Sequence, residues 1–410
     1  LQGQIARLIW EVEMGDLRLL ALLVAIFYLS ECFIWVPRGS VVFRASGIRR
    51  HRVVYPSAIL GNVSGGLVFL NPLPPFGSCF VCRGWPISVS AEALYSYSAA
   101  TSDPAGRAVQ PAELLYFDAV RGIWPLAGDV LVNGRALLRL GNGFQAIFFA
   151  QLLTALWQCS PMDRERLIET SLTRSLDIAE IKQRVRAFRL RSEALRLWCH
   201  GLFLILLVAL PASIWIWQIQ RGWLWLGAEI VLCLAGIAVT FIRAYRELFD
   251  RLRGTYWRSL ATMFCLPTSA IRSCDALSRD LLSEFHPLAV AAILCDRDEF
   301  QQFARRVLLD LNQPLLPPCP SSDEKCRLTE LNFRLRLKRR LKAMLECQGH
   351  VVSTLISPPK KIDPNCVAFC PRCDQQFEIE NGVCIDCGGV QLKPFPTSKE
   401  CRPAIDLRKV

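Results

Sequence analysis

Two stretches of this chain, residues 201–219 and 223–242, are apolar for nearly the whole length a helix needs to cross a bilayer, and three residues join them. A spanning helix takes roughly 20 apolar residues, so the pair reads as a transmembrane hairpin. Backbone N–H and C=O groups find no water in hydrocarbon, which leaves the helix as the fold for such segments. A third window, residues 17–36, is of similar length but contains Glu31. It reads as an N-terminal span, with an interfacial helix as the alternative. Trp35, Val36 and Pro37 stand where a cleavable leader would carry small residues, so the run is read as retained.

Arginine flanks the three windows unevenly. Arg38, Arg44, Arg49, Arg50 and Arg52 follow the first, Arg184, Arg186, Arg189, Arg191 and Arg196 precede the second, and Arg243, Arg246, Arg251 and Arg253 follow the third. The tight loop 220–222 carries only Arg221. Cationic residues near span ends stay on the cytoplasmic side. This places the N-terminus outside, and residues 37–200 and everything after the third window in the cytoplasm. The net charge of +12 is then largely a basic collar attracted to anionic headgroups, a simpler account than nucleic-acid binding. The 18 cysteines are scattered without regular spacing except at the tail, which suits reduced thiols and a metal site better than a disulfide framework.

Between the first and second windows the chain reads as β-rich. Apolar and β-branched runs occur at 41–43, 53–55, 67–70, 79–82 and 87–89, broken by Gly and Pro, with a Pro-fixed loop at 71–77. In "GDVLVNGRALLRL", Asn133 and Gly134 suit the positive φ angles of a type I′ turn and predict a hairpin of 130–132 with 135–138. A helix over 144–157, too short to span, is expected to pack against that sheet. Strands closed by a helix resemble, in element order, the pleckstrin-homology-like membrane-associated domains of bacteria.

From Ser160 the pattern turns helical, with Leu176, Ile178, Ile181, Val185 and Phe188 on one stripe, expected to lie along the inner leaflet or to lead into the second span. Helices are expected again over 243–264, 269–285, 287–295 and 298–311, then a Pro-rich linker. Beyond it, "NFRLRLKRRLKAML" spaces Phe333, Leu337, Leu341 and Leu345 four apart among Arg334, Arg336, Lys338, Arg339, Arg340 and Lys342. This basic amphipathic helix suits an anionic lipid surface first, packing on the helical domain second and nucleic acid third.

The strongest chemical motif is "CPRCDQQFEIENGVCIDCGG". Cys370 with Cys373 and Cys384 with Cys387 form two C-x-x-C pairs, each able to hold two thiolates on a tight turn at the bite of tetrahedral zinc. Phe377 and Ile379 supply a small apolar core between them. Residues 366–392 thus resemble a zinc ribbon, which implies one structural zinc ion with no open coordination position. A redox pair is the rival, and Cys366 is read as a spare thiol. Enzyme signatures are thin. His51, His200, His286 and His350 are far apart, and no G-x-S-x-G or G-x-x-x-x-G-K occurs. Cys79 and Cys82 fall in a strand-like run and read as buried thiols. Glu31 and Glu229 would lie in opposite leaflets, and paired structural charges are the plainer reading of both.

The sequence therefore describes a multi-domain α+β integral membrane protein of the bacterial cytoplasmic membrane. Its parts are an N-terminal anchor (1–37), a β-rich cytoplasmic module with closing helix (38–158), an amphipathic helix and transmembrane hairpin (159–245), a helical cytoplasmic domain (246–312) and a Pro-rich linker (313–330). A basic helix (331–361), the zinc ribbon (362–392) and a tail (393–410) complete it. The expected function is a non-enzymatic anchor or assembly platform for a cytoplasmic protein partner. The rivals are a membrane enzyme or small transporter using Glu31 or Glu229, and a membrane-tethered nucleic-acid binder. The arginine pattern makes a direct prediction: a cysteine placed in loop 220–222 should react with an impermeant reagent from outside, and a tag after Val410 should be protected. The reverse pattern overturns the orientation.

Overall fold

The computed structural model describes residues 19–36, 40–46, 49–54, 66–70, 78–96, 113–140, 143–214, 223–249, 256–312, 324–371, 374–385 and 390–395. The loop at 71–77 and the turn at 220–222 lie outside these residues.

Helix α1 (Leu19–Glu31) leads into strand β1 (Phe33–Val36). Among the described residues the strands up to the closing helix form four small antiparallel sheets. They are β1 with β4 (Gly66–Phe69); β2 (Ser40–Ser46) between β3 (Arg49–Val54) and β5 (Cys79–Arg83); β7 (Ala93–Ser96) between β6 (Ile87–Val89) and β8 (Glu113–Tyr116); and β10 (Asp129–Val132) between β9 (Ile123–Leu126) and β11 (Arg135–Arg139). The β10–β11 turn is as its residues predict. Asn133 and Gly134 have φ of 53° and 81°, and Asn133 Oδ1 accepts from Arg121 N–H while its Nδ2 donates to the Ala119 carbonyl. Helix α2 (Gly143–Gln158) packs on β9 and β10.

Helices α3 (Pro161–Ser175) and α4 (Ile178–Arg191) start at side-chain caps. Ser160 accepts from the Asp163 N–H, and Asp177 from those of Ala179 and Glu180. The stripe of α4 is covered by protein: Ile181, Val185 and Phe188 are buried, with Phe188 edge-on to Phe80 of β5 at 5.6 Å. This corrects the expectation that the stripe rests on the inner leaflet.

Helix α5 (Glu193–Leu204) runs on through a π-helical turn (Ile205–Ala209) into α6 (Leu210–Ala212). Pro211 has no N–H for the usual i−4 bond and its ring crowds that carbonyl, which accounts for the widened turn before it. Helix α7 (Trp223–Leu248) returns antiparallel to α5. Gly236 makes the close approach possible, since a Cβ there would sit 2.4 Å from the Trp198 ring. Helix α1 joins them, with Tyr28 edge-on to Phe203 at 5.6 Å and Ala21 clustered with Leu210 and Ile214. The segments 193–212 and 225–248 are long and apolar enough to cross a membrane, and α1 is shorter.

Short helices α8 (Tyr256–Cys265), α9 (Pro267–Ile271), α10 (Ser273–Leu281) and α11 (Pro287–Leu294) then lead to α12 (Arg297–Asn312), α13 (Glu324–Cys347) and α14 (Val352–Leu355). Helix α13 begins inside the stretch read as linker, so the described part of that stretch is helical. Its stripe Phe333, Leu337, Leu341 and Leu345 is buried over β6 and β7, with Phe333 against Trp85 at 5.5 Å. Arg336 pairs with Glu165, Arg340 with Glu169, Arg334 with Glu330 and Lys342 with Glu346. Lys338 and Arg339 have no ion pair among the described residues. One continuous apolar cluster runs from Tyr28 through Phe43, Phe80, Leu153, Phe188, Phe285 and Phe303 to Leu345, so the β-rich and helical segments share a core.

No atom lies within 4 Å of where a Gly134 side chain would begin, so substitution there is opposed by backbone conformation alone. Gly134→Val should therefore cost about 1–3 kcal/mol through positive φ at a β-branched residue. An unchanged melting temperature of the full chain would refute the turn.

Candidate functional site

The C-terminal segment builds two hairpins around its cysteine pairs. Strand β12 (Ala368–Phe369) pairs antiparallel with β13 (Gln376–Phe377), and Cys370 is the first residue after β12. The turn that carries the first C-x-x-C is closed by Asp374 N–H to the Cys370 carbonyl at 2.9 Å and by Cys370 N–H to the Gln375 carbonyl at 2.8 Å. Asp374 has φ of 62°, a left-handed conformation that Asp tolerates better than most residues. Strand β14 (Val383–Cys384) pairs with β15 (Val390–Gln391), so the second C-x-x-C begins at Cys384, the last residue of β14. Strand β16 (Lys393–Pro394) adds to β12, and Gln376 bonds back to Lys360 and Ile362. The folded unit therefore extends about three residues past the expected end at 392.

Cys370 and Cys384 are both buried and share one small cluster with Ala368, Leu392 and Phe377; Ile379, expected in this core, is instead exposed, its place being filled by Ala368 and Leu392. Cys373 and Cys387 lie outside the described residues, so no group of three or more metal-binding side chains is found among the described ones. Cys366 is buried just before β12. The donor chemistry suits a tetrahedral thiolate site: Cys370 and Cys384 are gathered in one cluster, and the sequence places another cysteine three residues after each. The unit docks on the body through Asp374, whose carboxylate accepts from Arg305 of α12 at 2.6 Å.

A second polar cluster lies where α1, β5 and α8–α10 meet. Arg272 and Asp275 form a buried ion pair at 2.7 Å, and Arg272 also donates to the Tyr28 hydroxyl. Ser278 splices helix to strand, donating to the Cys79 carbonyl and accepting from the Cys79 N–H, both at 3.0 Å. Burial pushes the Asp275 carboxyl from 3.8 up to about 6, with Arg272 and other arginines pulling it down. Burial also raises the Cys79 thiol to about 12, and Cys82 lies buried beside it, so neither is a reactive thiol.

Sequence reasoning missed Arg272 and Asp275 as a cluster, because nothing in their spacing announces that Tyr28 and Glu31 arrive beside them. Glu31 lines a cavity with both. Glu229 is exposed on α7 and does not line the cavity that Glu31 lines. Neither makes an ion pair among the described residues. His286 caps α11, its Nδ1 accepting from the Leu288 N–H, and burial lowers it to about 4. His200 bonds to the Arg196 carbonyl, His350 packs on Phe300, and His51 belongs to β3. These histidines are not gathered into a site.

No protein-family profile, curated protein or solved structure matches this chain.

The raised Asp275 carboxyl fixes a sign. A folded-state acid held above its unfolded value takes up protons on folding, so its stabilising effect is full below about pH 4 and lost as pH rises through about 6. Between those limits wild-type stability should fall relative to Asp275→Asn by up to about 1.4 kcal/mol per pH unit. Parallel stability profiles for the two proteins would refute the assignment.

Proposed function

We propose that this chain is a non-enzymatic integral membrane anchor that presents a structural zinc ribbon to a cytoplasmic protein partner. The observation that carries the reading is the pairing of two C-x-x-C hairpins, with Cys370 and Cys384 sharing a buried cluster, on a body whose apolar helices face outward. Only 33% and 17% of the two spanning windows is buried, whereas a helix in a soluble core would be mostly covered. Leu197, Leu204 and Val208 on one helix and Trp225, Val231 and Val239 on the other are exposed, as is most of the apolar surface of α1. A band of charge closes the lower end: Arg191 pairs with Glu247, which Arg243 also reaches. Such a band suits the headgroup level, with the N-terminus outside and the ribbon in the cytoplasm.

In this reading Cys370, Cys373, Cys384 and Cys387 hold zinc as thiolates. The ion supplies cross-linking of two hairpins too short to bury a core of their own. The chain's own residues do the rest. Asp374 closes the first turn and ties it to Arg305, and Ile379, Val383 and Ile385 stand exposed as an apolar face for a partner. The free cations Lys338 and Arg339, with Lys342, leave the basic helix a capacity for anionic lipid even though its apolar stripe is occupied.

Metal analysis of the full chain should give one zinc ion, reduced to near zero by serine at any of the four cysteines and unaffected by Cys366→Ser. A chelator should melt residues 360–395 without unfolding the rest, and should abolish retention of partners by an immobilised chain. Absence of zinc in the purified protein, or a tail fold that persists in strong chelator, refutes the ribbon.

A further inference from the structure

The cavity at the base of α1 has an unusual charge inventory. It encloses about 250 Å³ and is bounded by Glu31, Arg272, Asp275 and Arg279, with the hydroxyls of Ser259 and Ser269 among its walls. Arg272 and Asp275 pair with one another at 2.7 Å, although Asp275 Oδ2 has no partner in hydrogen-bond geometry among the described residues. Arg279 keeps only a loose contact, Nε to Asp280 Oδ1 at 3.6 Å, and its side chain is half exposed. Glu31 has no hydrogen bond or ion pair among the described residues. One anion and one cation therefore remain available in the same small cavity.

The elements around it carry exposed apolar side chains: Phe33 and Trp35 on β1, Phe69 on β4, and Trp257 and Phe264 on α8. Phe33 and Phe69 are cross-strand partners with rings 4.8 Å apart, and Trp35 faces Leu67, so one side of that ribbon is apolar throughout. This surface continues the outward apolar face of α1, which ends at Glu31. Trp and other aromatic residues concentrate at the headgroup level of a bilayer. The cavity is also smaller than sites for drug-sized ligands, so it suits a headgroup.

We infer that this cavity binds the headgroup of an aminophospholipid of the cytoplasmic leaflet, the phosphate on Arg279 and the wall hydroxyls, the primary ammonium on Glu31. The inference rests on the membrane reading above. A quaternary ammonium cannot donate a hydrogen bond to Glu31, and a glycerol headgroup brings no cation to it, so the site discriminates among phospholipids by N–H donation.

The test is native mass spectrometry of the detergent-solubilised full chain with phosphatidylethanolamine, phosphatidylcholine and phosphatidylglycerol. Wild type should retain the ethanolamine lipid about tenfold better than the other two, the worth of one charge-assisted hydrogen bond. Glu31→Gln should erase that preference, and Arg279→Gln should weaken retention of all three; Arg279 is an independent probe if the Glu31 variant fails to fold. Equal retention of the three lipids by wild type, or selectivity that survives both substitutions, overturns the inference. Displacement by soluble glycerophosphoethanolamine as effective as by lipid overturns the lipid source. Alkaline carbonate extraction separates the two readings. Release of the chain from membranes overturns both, whereas a chain that stays in the pellet without lipid selectivity overturns only the headgroup site.

Discussion

A two- or three-stranded antiparallel sheet has a face to bury and too few strands to bury it alone, and in this chain the strands before the closing helix are divided into sheets of that size. Each must borrow its cover from elsewhere. Helix α2 covers the β9–β11 sheet from the adjacent sequence, but α10 and α11 reach β5 and β2 from about two hundred residues away, and α13 reaches β6 and β7 from farther still. The continuous apolar cluster is the result. Ser278 shows how closely the parts are joined: one hydroxyl satisfies both the N–H and the carbonyl of Cys79, doing for the edge of β5 what a neighbouring strand would do.

That dependence explains what the sequence discloses and what it hides. The Asn133–Gly134 turn was legible because its cause is local, two residues suited to positive φ between alternating strands. The start of α11 was legible for the same reason, since Pro287 occupies its first position, whereas the helix expected from 269 in fact begins at Pro267 and breaks between α9 and α10. The amphipathic stripes of α4 and α13 were legible as stripes, but periodicity says only that a face will be covered, not by what. For α13 the cover proved to be protein, and the arginines beside the stripe found Glu165 and Glu169 on α3. The C-x-x-C pairs pointed to two tight turns, and strands pair on either side of both, whereas the added strand β16 and the docking of Asp374 on Arg305 depend on tertiary contacts that no spacing records.

The three apolar helices pack closely where they meet, with Gly236 under Trp198 and Tyr28 on Phe203, while larger apolar side chains point away from the protein. In water this arrangement would leave an extensive apolar patch exposed, which soluble proteins avoid. In a bilayer the same arrangement has no such cost, because lipid covers the outward face and small residues let the backbones approach. In the proposed membrane reading the charged band at Arg191, Glu247 and Arg243 lies at the headgroup level.

Arg272 and Asp275 are buried where α1 meets the junction of α9 and α10. Removing two charges from water is costly, and their mutual attraction offsets it only with good geometry and further hydrogen bonds. Arg272 lies 2.7 Å from Asp275 and also holds the Tyr28 hydroxyl, although Asp275 Oδ2 has no partner in hydrogen-bond geometry among the described residues. Tyr28 belongs to α1, Arg272 to the junction of α9 and α10, and the same α10 carries the Ser278 splice to β5. The pair therefore fixes where α1 ends relative to both the helical segments and the strands. It follows that the position of Glu31, three residues beyond Tyr28, is set by a buried ion pair and not by the helix it terminates, which is why an unpartnered carboxylate can be held beside a cavity at the foot of an apolar helix.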